Sequence, residues 1–148
     1  MFKYIKIENG SIKLDPYLEY VENTVWDKKS GLDLLQVSSR IDPFSRDSFR
    51  EGYIKSFNVT PSGDYSGDVD IVIEIENAYR DKQFTLKYRD VSDIEFPKMG
   101  YAIACSLSLQ ELIILDDKSY KHEFSFLHDW RLIIVAKNVE FSQKDLTN

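Results

Sequence analysis

The chain is poor in the residues that most often announce chemistry. In 148 residues there are 2 histidines, 1 cysteine, 6 glycines and 4 prolines. A lone thiol, Cys105, cannot build an intramolecular disulfide framework or a multi-cysteine zinc site. Set among alternating apolar residues, it reads as a small core hydrophobe, and a buried thiol is inert. Phosphate-cradling loops need clustered glycine, and neither a Gly-x-Gly-x-x-Gly nor a Walker-type run occurs. A His-Glu-x-x-His zinc helix is absent as well. Apolar runs such as Leu112 to Leu115 and Leu132 to Ala136 are far short of the roughly 20 residues that span a membrane as a helix. Met1-Phe2-Lys3-Tyr4 has no long apolar stretch behind it, so no signal peptide is expected. These absences point away from a membrane protein and toward a cytoplasmic one.

What remains is 43% hydrophobic and 14% aromatic, enough for a packed interior, and the length suits a single domain over 1–148. The net charge of -6 repels phosphate backbones and disfavours nucleic acid as a partner.

The most legible stretch runs from Asp68 to Asp90. Val69, Ile71, Ile73 and Ile75 alternate with Asp70, Val72, Glu74 and Glu76. After a polar break, Phe84, Leu86 and Tyr88 alternate with Thr85, Lys87 and Arg89. Period-two patterning of this composition predicts an antiparallel hairpin with one apolar and one charged face. Upstream, Phe2 to Glu8 reads as a strand, Asn9-Gly10 as a type I′ turn, and Ile12 and Leu14 as the return arm. Asp15-Pro16 opens a helix expected to reach Trp26, with Leu18, Val21 and Val25 on its apolar stripe. Leu32, Leu34 and Leu35 suggest a short strand or loop, and Asp42-Pro43 repeats the helix-start chemistry. Tyr53 to Val59 alternates as a strand, with Tyr53, Lys55, Phe57 and Val59 on one side. Val91 to Phe96 leads into the punctuation of Pro97 and Gly100, and further strands are expected at Tyr101 to Leu109 (with a helix as the alternative), Leu112 to Leu115, Tyr120 to Phe126 and Leu132 to Phe141, followed by a frayed tail. The expected fold is mainly β or α+β, an antiparallel sheet (meander, sandwich or open barrel-like) of about seven to nine strands with one N-terminal helix.

Candidate chemistry is sparse. His122 falls on a strand face with Tyr120, Phe124 and Phe126, where a structural role is the ordinary one. His128-Asp129 sits at a turn beside Trp130, but adjacent side chains rarely converge as an acid–base pair requires. Asp64, Asp68 and Asp70 crowd a Gly/Ser-bearing loop without the spacing of an EF-hand, so no metal or other cofactor is expected. The charged face of the hairpin is the better lead. Asp64, Asp68, Asp70, Glu74 and Glu76 either pair across the strands with Lys87 and Arg89 or face a basic protein partner and steer its approach.

The run Ser48-Phe49-Arg50-Glu51-Gly52-Tyr53-Ile54-Lys55-Ser56-Phe57 resembles the opening strand of several small, largely uncharacterised bacterial β-meander families. The hairpin after it, the Asp90-Val91-Ser92-Asp93-Ile94 exit and the aromatic segment from Tyr120 to Phe141 extend the resemblance over Ser48 to Phe141. Arg50-Glu51 stands where such families often carry a His-Asp pair. Some of them look like immunity proteins, which bind and neutralise a cognate toxin. The resemblance thus implies a non-enzymatic, cytoplasmic protein-binding module with a toxin-neutralising role. Two other readings compete: a small hydrolase using carboxylates and His128, which requires a concave pocket, and an assembly subunit, which requires a self-associating sheet edge.

Overall fold

Three isoleucines spaced two apart can share a face only in an extended chain, and that constraint organises the molecule. A computed structural model describes residues 1–63, 67–97, 106–127 and 130–146. In chain order the elements are β1 (Lys6–Glu8), β2 (Ser11–Lys13), α1 (Asp15–Glu22), α2 (Leu32–Leu35), α3 (Ser38–Ile41), β3 (Tyr53–Pro61), β4 (Val69–Glu76), β5 (Lys82–Glu95), β6 (Leu107–Ile114), β7 (Tyr120–Phe126) and β8 (Arg131–Asp145). β1 and β2 form a small hairpin. The other six strands form one antiparallel sheet in the order β3-β4-β5-β8-β7-β6. Two three-stranded meanders are thereby laid side by side through the long β5–β8 seam. The fold is mainly antiparallel β, as the patterning requires.

Within the hairpin, Ile71 faces Tyr88, Ile73 faces Leu86 and Ile75 faces Phe84, and all six are almost completely buried. The same inner face continues through Val139 and Phe141 of β8, Phe124 and Phe126 of β7, and Leu107 and Leu112 of β6, with Leu32, Leu35 and Phe49 packed against it. β6 is buried on both faces: Leu109 and Ile113 lie on the other side, beneath Phe2, Ile5, Tyr17, Val21 and Ile41. The N-terminal fifty residues are therefore a cover for one end of the sheet. The two edges of the sheet meet at a corner, where the Glu51 amide donates to the Leu107 carbonyl and the Leu107 amide donates to the Gly52 carbonyl, each at 2.8 Å. Beyond that corner β3 and β6 are not paired with each other, and the sheet is open.

Several local expectations change. Only Lys6–Glu8 of the first segment is strand, and Phe2 and Ile5 share a buried side. Asn9 and Gly10 do take positive φ, at 52° and 77°. α1 stops at Glu22, before the stripe reaches Val25, which is 94% exposed. Asp15 lies inside the helix, and Leu14 is the N-cap. Leu32–Leu35 is helical, with Leu32 and Leu35 inside and Leu34 out. No helix starts at Asp42; its carboxylate instead accepts the Phe44 amide at 2.9 Å and shapes a turn. In β3 a bulge between Ile54 and Ser56 shifts the register, so Ile54 and Phe57 fall on the same side rather than on opposite ones. The tail is ordered strand from Ser142 as far as Asp145, which pairs with Lys82 of β5, and residues 147–148 lie outside the described residues. The expected strand over Tyr101 to Leu109 lies mostly outside the described residues, and from Leu107 it merges with the Leu112 segment into β6.

Candidate functional site

The acidic residues singled out in the sequence are strung along β4 and its approach. Asp64 lies outside the described residues. Asp70 is held within the sheet: its carboxylate accepts the Ser62 hydroxyl at 2.9 Å and the Asp90 amide at 3.0 Å. Arg89 stands 3.6 Å from Asp70 and 3.6 Å from Glu140, bridging β4, β5 and β8. Glu76 is 6% exposed and accepts Lys55 Nζ at 2.9 Å, which holds its carboxyl below the usual carboxylate range. Glu74 is half-buried on the same face, opposite Thr85. Asp68, also half-buried, has an interaction of its own. The strand thus brings Asp70, Glu74 and Glu76 to one face and sets a basic residue from another strand against the first and the last. Cross-strand pairing of this kind contributes about 0.2–1 kcal/mol per pair.

His122 is completely buried. Its Nε2 lies 2.7 Å from Gln110 Oε1, an oxygen that can only accept, so Nε2 carries the proton. Nδ1 then accepts the Tyr88 hydroxyl at 2.7 Å. Burial lowers the imidazole pKa to about 3 and raises that of the Tyr88 hydroxyl well above its ordinary value. A neutral, fully enclosed ring fits a core hydrogen-bond chain joining β5, β7 and β6. His128, Asp129 and Cys105 lie outside the described residues.

Glu111, which the patterning did not single out, and two tyrosines of α1 hold the N-terminal cover. The Glu111 carboxylate, 3% exposed, accepts the amides of Lys3 and Tyr4 at 2.8 Å and of Ile5 at 2.9 Å. On the uncovered edge of β6, the Tyr17 hydroxyl accepts the Leu112 amide at 2.8 Å and lies 3.2 Å from the Leu112 carbonyl. Tyr20 accepts the Ile114 amide at 2.9 Å. Side chains of α1 thus occupy backbone groups that an edge strand would otherwise offer to another chain.

The surface that most resembles a contact site is built from the loop after α3 and the β4–β5 turn. Phe44 and Tyr79 are 76% and 57% exposed. Each carries an arginine: Arg46 lies 3.9 Å from the centre of the Tyr79 ring, and Arg50 lies 4.9 Å from that of Phe44. Arg46 also donates to Asp81 at 2.7 Å, which raises the guanidinium pKa. The supports are cross-linked by hydrogen bonds. Asn77 Oδ1 accepts the amides of Asp81 and Lys82, each at 3.0 Å, fixing the turn that presents Tyr79. Lys82 Nζ reaches Asp47 at 2.8 Å and Arg40 reaches the Asp47 carbonyl at 2.8 Å, tying down the loop, while Phe49 anchors it in the core.

Between these groups lies a depression of about 150 Å³, floored by Ser45 and Ser48. A second, of about 290 Å³, adjoins it across Arg50 and Glu51 and runs to Leu127, 53% exposed. Glu51 adopts φ 64°, uncommon outside glycine, and its amide makes the corner bond to Leu107. The site was hard to read from sequence because residues 44–50 and 78–81 carry no periodicity. Two aromatics in polar, turn-forming segments were the available signal.

No family model, no curated protein and no solved structure matches the chain.

Proposed function

We propose that the chain is a non-enzymatic protein-binding module that meets its partner through the arginine–aromatic corner formed by Phe44, Arg46, Arg50 and Tyr79. One observation carries the reading: two aromatic rings stand in solvent, each carrying an arginine, on a loop and turn held by partly buried hydrogen bonds. Tyrosine and arginine dominate interface hot spots, and a surface already ordered before binding loses little further entropy. Neutralisation of a cognate toxin is the most concrete form of this proposal. A basic partner steered by Asp68 and Glu74 on the charged sheet face is the alternative contact mode, favoured by the net charge of -6.

The test is affinity capture from the native host with the wild-type chain and with a Phe44→Ala/Tyr79→Ala variant. A stoichiometric protein retained by the first and lost by the second supports the reading. Recovery of no stoichiometric partner, or equal recovery by both, overturns it. A Glu74→Gln variant that alone loses the partner moves the contact to the sheet face.

A further inference from the structure

The chemistry of this corner also says what kind of segment fits it, an inference that rests on the reading just proposed. We infer that the paired depressions on either side of Arg50 take an acidic, aromatic-bearing segment of the partner. Arg46 has its carboxylate in Asp81. Arg50, by contrast, has no carboxylate within ion-pair distance among the described residues, although it is exposed and lies over the Phe44 ring, 4.9 Å from its centre. Stacking on a ring occupies the face of a guanidinium and leaves its in-plane N–H groups for an incoming acceptor. Arg80, fixed at φ 57° on the turn beside Tyr79, adds a second exposed positive charge. The complementary ligand is a carboxylate reaching Arg50 in the plane of its fork, with an aromatic or aliphatic neighbour covering Phe44 or Tyr79.

Glu51 sets a limit on this ligand. It is exposed and lines both depressions beside Arg50, while Arg46 and Tyr79 line only the first and Leu107 and Leu127 only the second, so acids are favoured on the Tyr79 side and apolar residues on the Leu127 side. The site therefore reads a polarity along the bound segment as well as a charge.

Selection of a phage-displayed library of random dodecapeptides on the intact chain tests this directly. Enriched peptides are expected to carry net negative charge with an adjacent aromatic residue. A synthetic enriched peptide should bind at least about tenfold more weakly to Arg50→Glu, about three- to tenfold more weakly to Arg50→Lys, which keeps the charge but not the planar fork, and weaken with added salt. A circular dichroism spectrum and melting curve matching the wild type establish that the charge-reversed variant is folded. Enrichment of neutral or basic peptides, no enrichment, or equal binding by Arg50→Glu overturns the inference. The broader reading falls separately. A host partner captured through Phe44 and Tyr79 but indifferent to Arg50→Glu would leave the corner a binding site and remove only its preference for acids.

Discussion

Glu111 offers the sharpest quantitative test of how the cover is held on the sheet. Its two oxygens accept three consecutive backbone amides, from Lys3, Tyr4 and Ile5. A hydrogen bond to a charged acceptor is worth about 1.5–3 kcal/mol net. Burial of Phe2 and Ile5 supplies about 1.5–3 kcal/mol each. Ordering five residues of backbone costs about 1–2 kcal/mol apiece, more than the two side chains return. The segment is therefore held only while the carboxylate is present. Once it lifts off, its amides rehydrate and the loss saturates, so Glu111→Ala should cost about 3–4 kcal/mol. Glu111→Gln keeps one accepting oxygen but turns an amide donor toward at least one of the three N–H groups, and should cost about 1.5–3 kcal/mol. Urea denaturation gives the stability and amide hydrogen exchange gives the location. The Lys3, Tyr4 and Ile5 amides should exchange near free-peptide rates in Glu111→Ala and at intermediate rates in Glu111→Gln. If both variants stay within about 0.5 kcal/mol of wild type with those amides still protected, the account of the cover is wrong.

Other consequences are equally open to measurement. His122 has a folded pKa of about 3 against an unfolded value of about 6.5, so below pH 6.5 the unfolded chain takes up a proton that the folded chain refuses. Stability should fall by about 2 kcal/mol from this group between neutral pH and pH 5, before most carboxylates titrate, and His122→Gln should abolish that slope; an unchanged slope refutes the assignment. Gly31 and Gly10 share nearly the same left-handed φ, 79° and 77°, but a Cβ on Gly31 would sit 2.1 Å from the Phe141 carbonyl oxygen, whereas nothing lies within 4 Å of one on Gly10. Gly31→Ala should thus cost about 3 kcal/mol or more and Gly10→Ala only about 1 kcal/mol, so equal losses in thermal melts would contradict the packing at Phe141. Tyr17→Phe removes the hydroxyl that pairs with both backbone groups of Leu112, and should cost about 2 kcal/mol and raise the tendency to self-associate by sedimentation.

Strong alternation made the sheet legible. Ile71 to Ile75 and Phe84 to Tyr88 lie in strands with the expected residues inside, since a one-residue slip would move every one of them off the core face, and Tyr120 to Phe126 is a strand buried on both faces from His122 onward. Asn9-Gly10 was readable for a different reason, since its chemistry specifies a turn without help from the rest of the chain. Failures cluster where tertiary contacts override local pattern. Leu32–Leu35 is too short for periodicity to distinguish helix from strand. The bulge after Ile54 reverses the sides of β3 without any mark in the sequence. Of the contact corner, Arg50-Glu51 was visible only as a departure from a family pattern. The partnership of Phe44 with Arg50 and of Tyr79 with Arg46 is made by loops meeting in space.

Glu123 shows why the cover and the sheet should be treated as one folding unit. It stands directly opposite Glu111 across the β6–β7 pair, and both side chains are buried. Two carboxylates in that position repel, and the meander formed by β6, β7 and β8 would be penalised for having them there. Compensation comes largely from elsewhere. Glu111 is answered by the amides of residues 3 to 5, and Glu123 lies 3.4 Å from the Met1 amino group and 3.7 Å from Arg131, whose guanidinium is capped by the Phe2 ring. The strand pairing therefore becomes favourable only as the first residues dock, so folding of this end of the sheet is coupled to the N-terminal segment. Local release of that segment exposes two acids and the apolar pair Leu109 and Ile113 at once. The same coupling explains why Leu109-Gln110-Glu111-Leu112-Ile113, a strand buried on both faces, carries a carboxylate at its centre: that carboxylate is the binding site for the chain's own backbone.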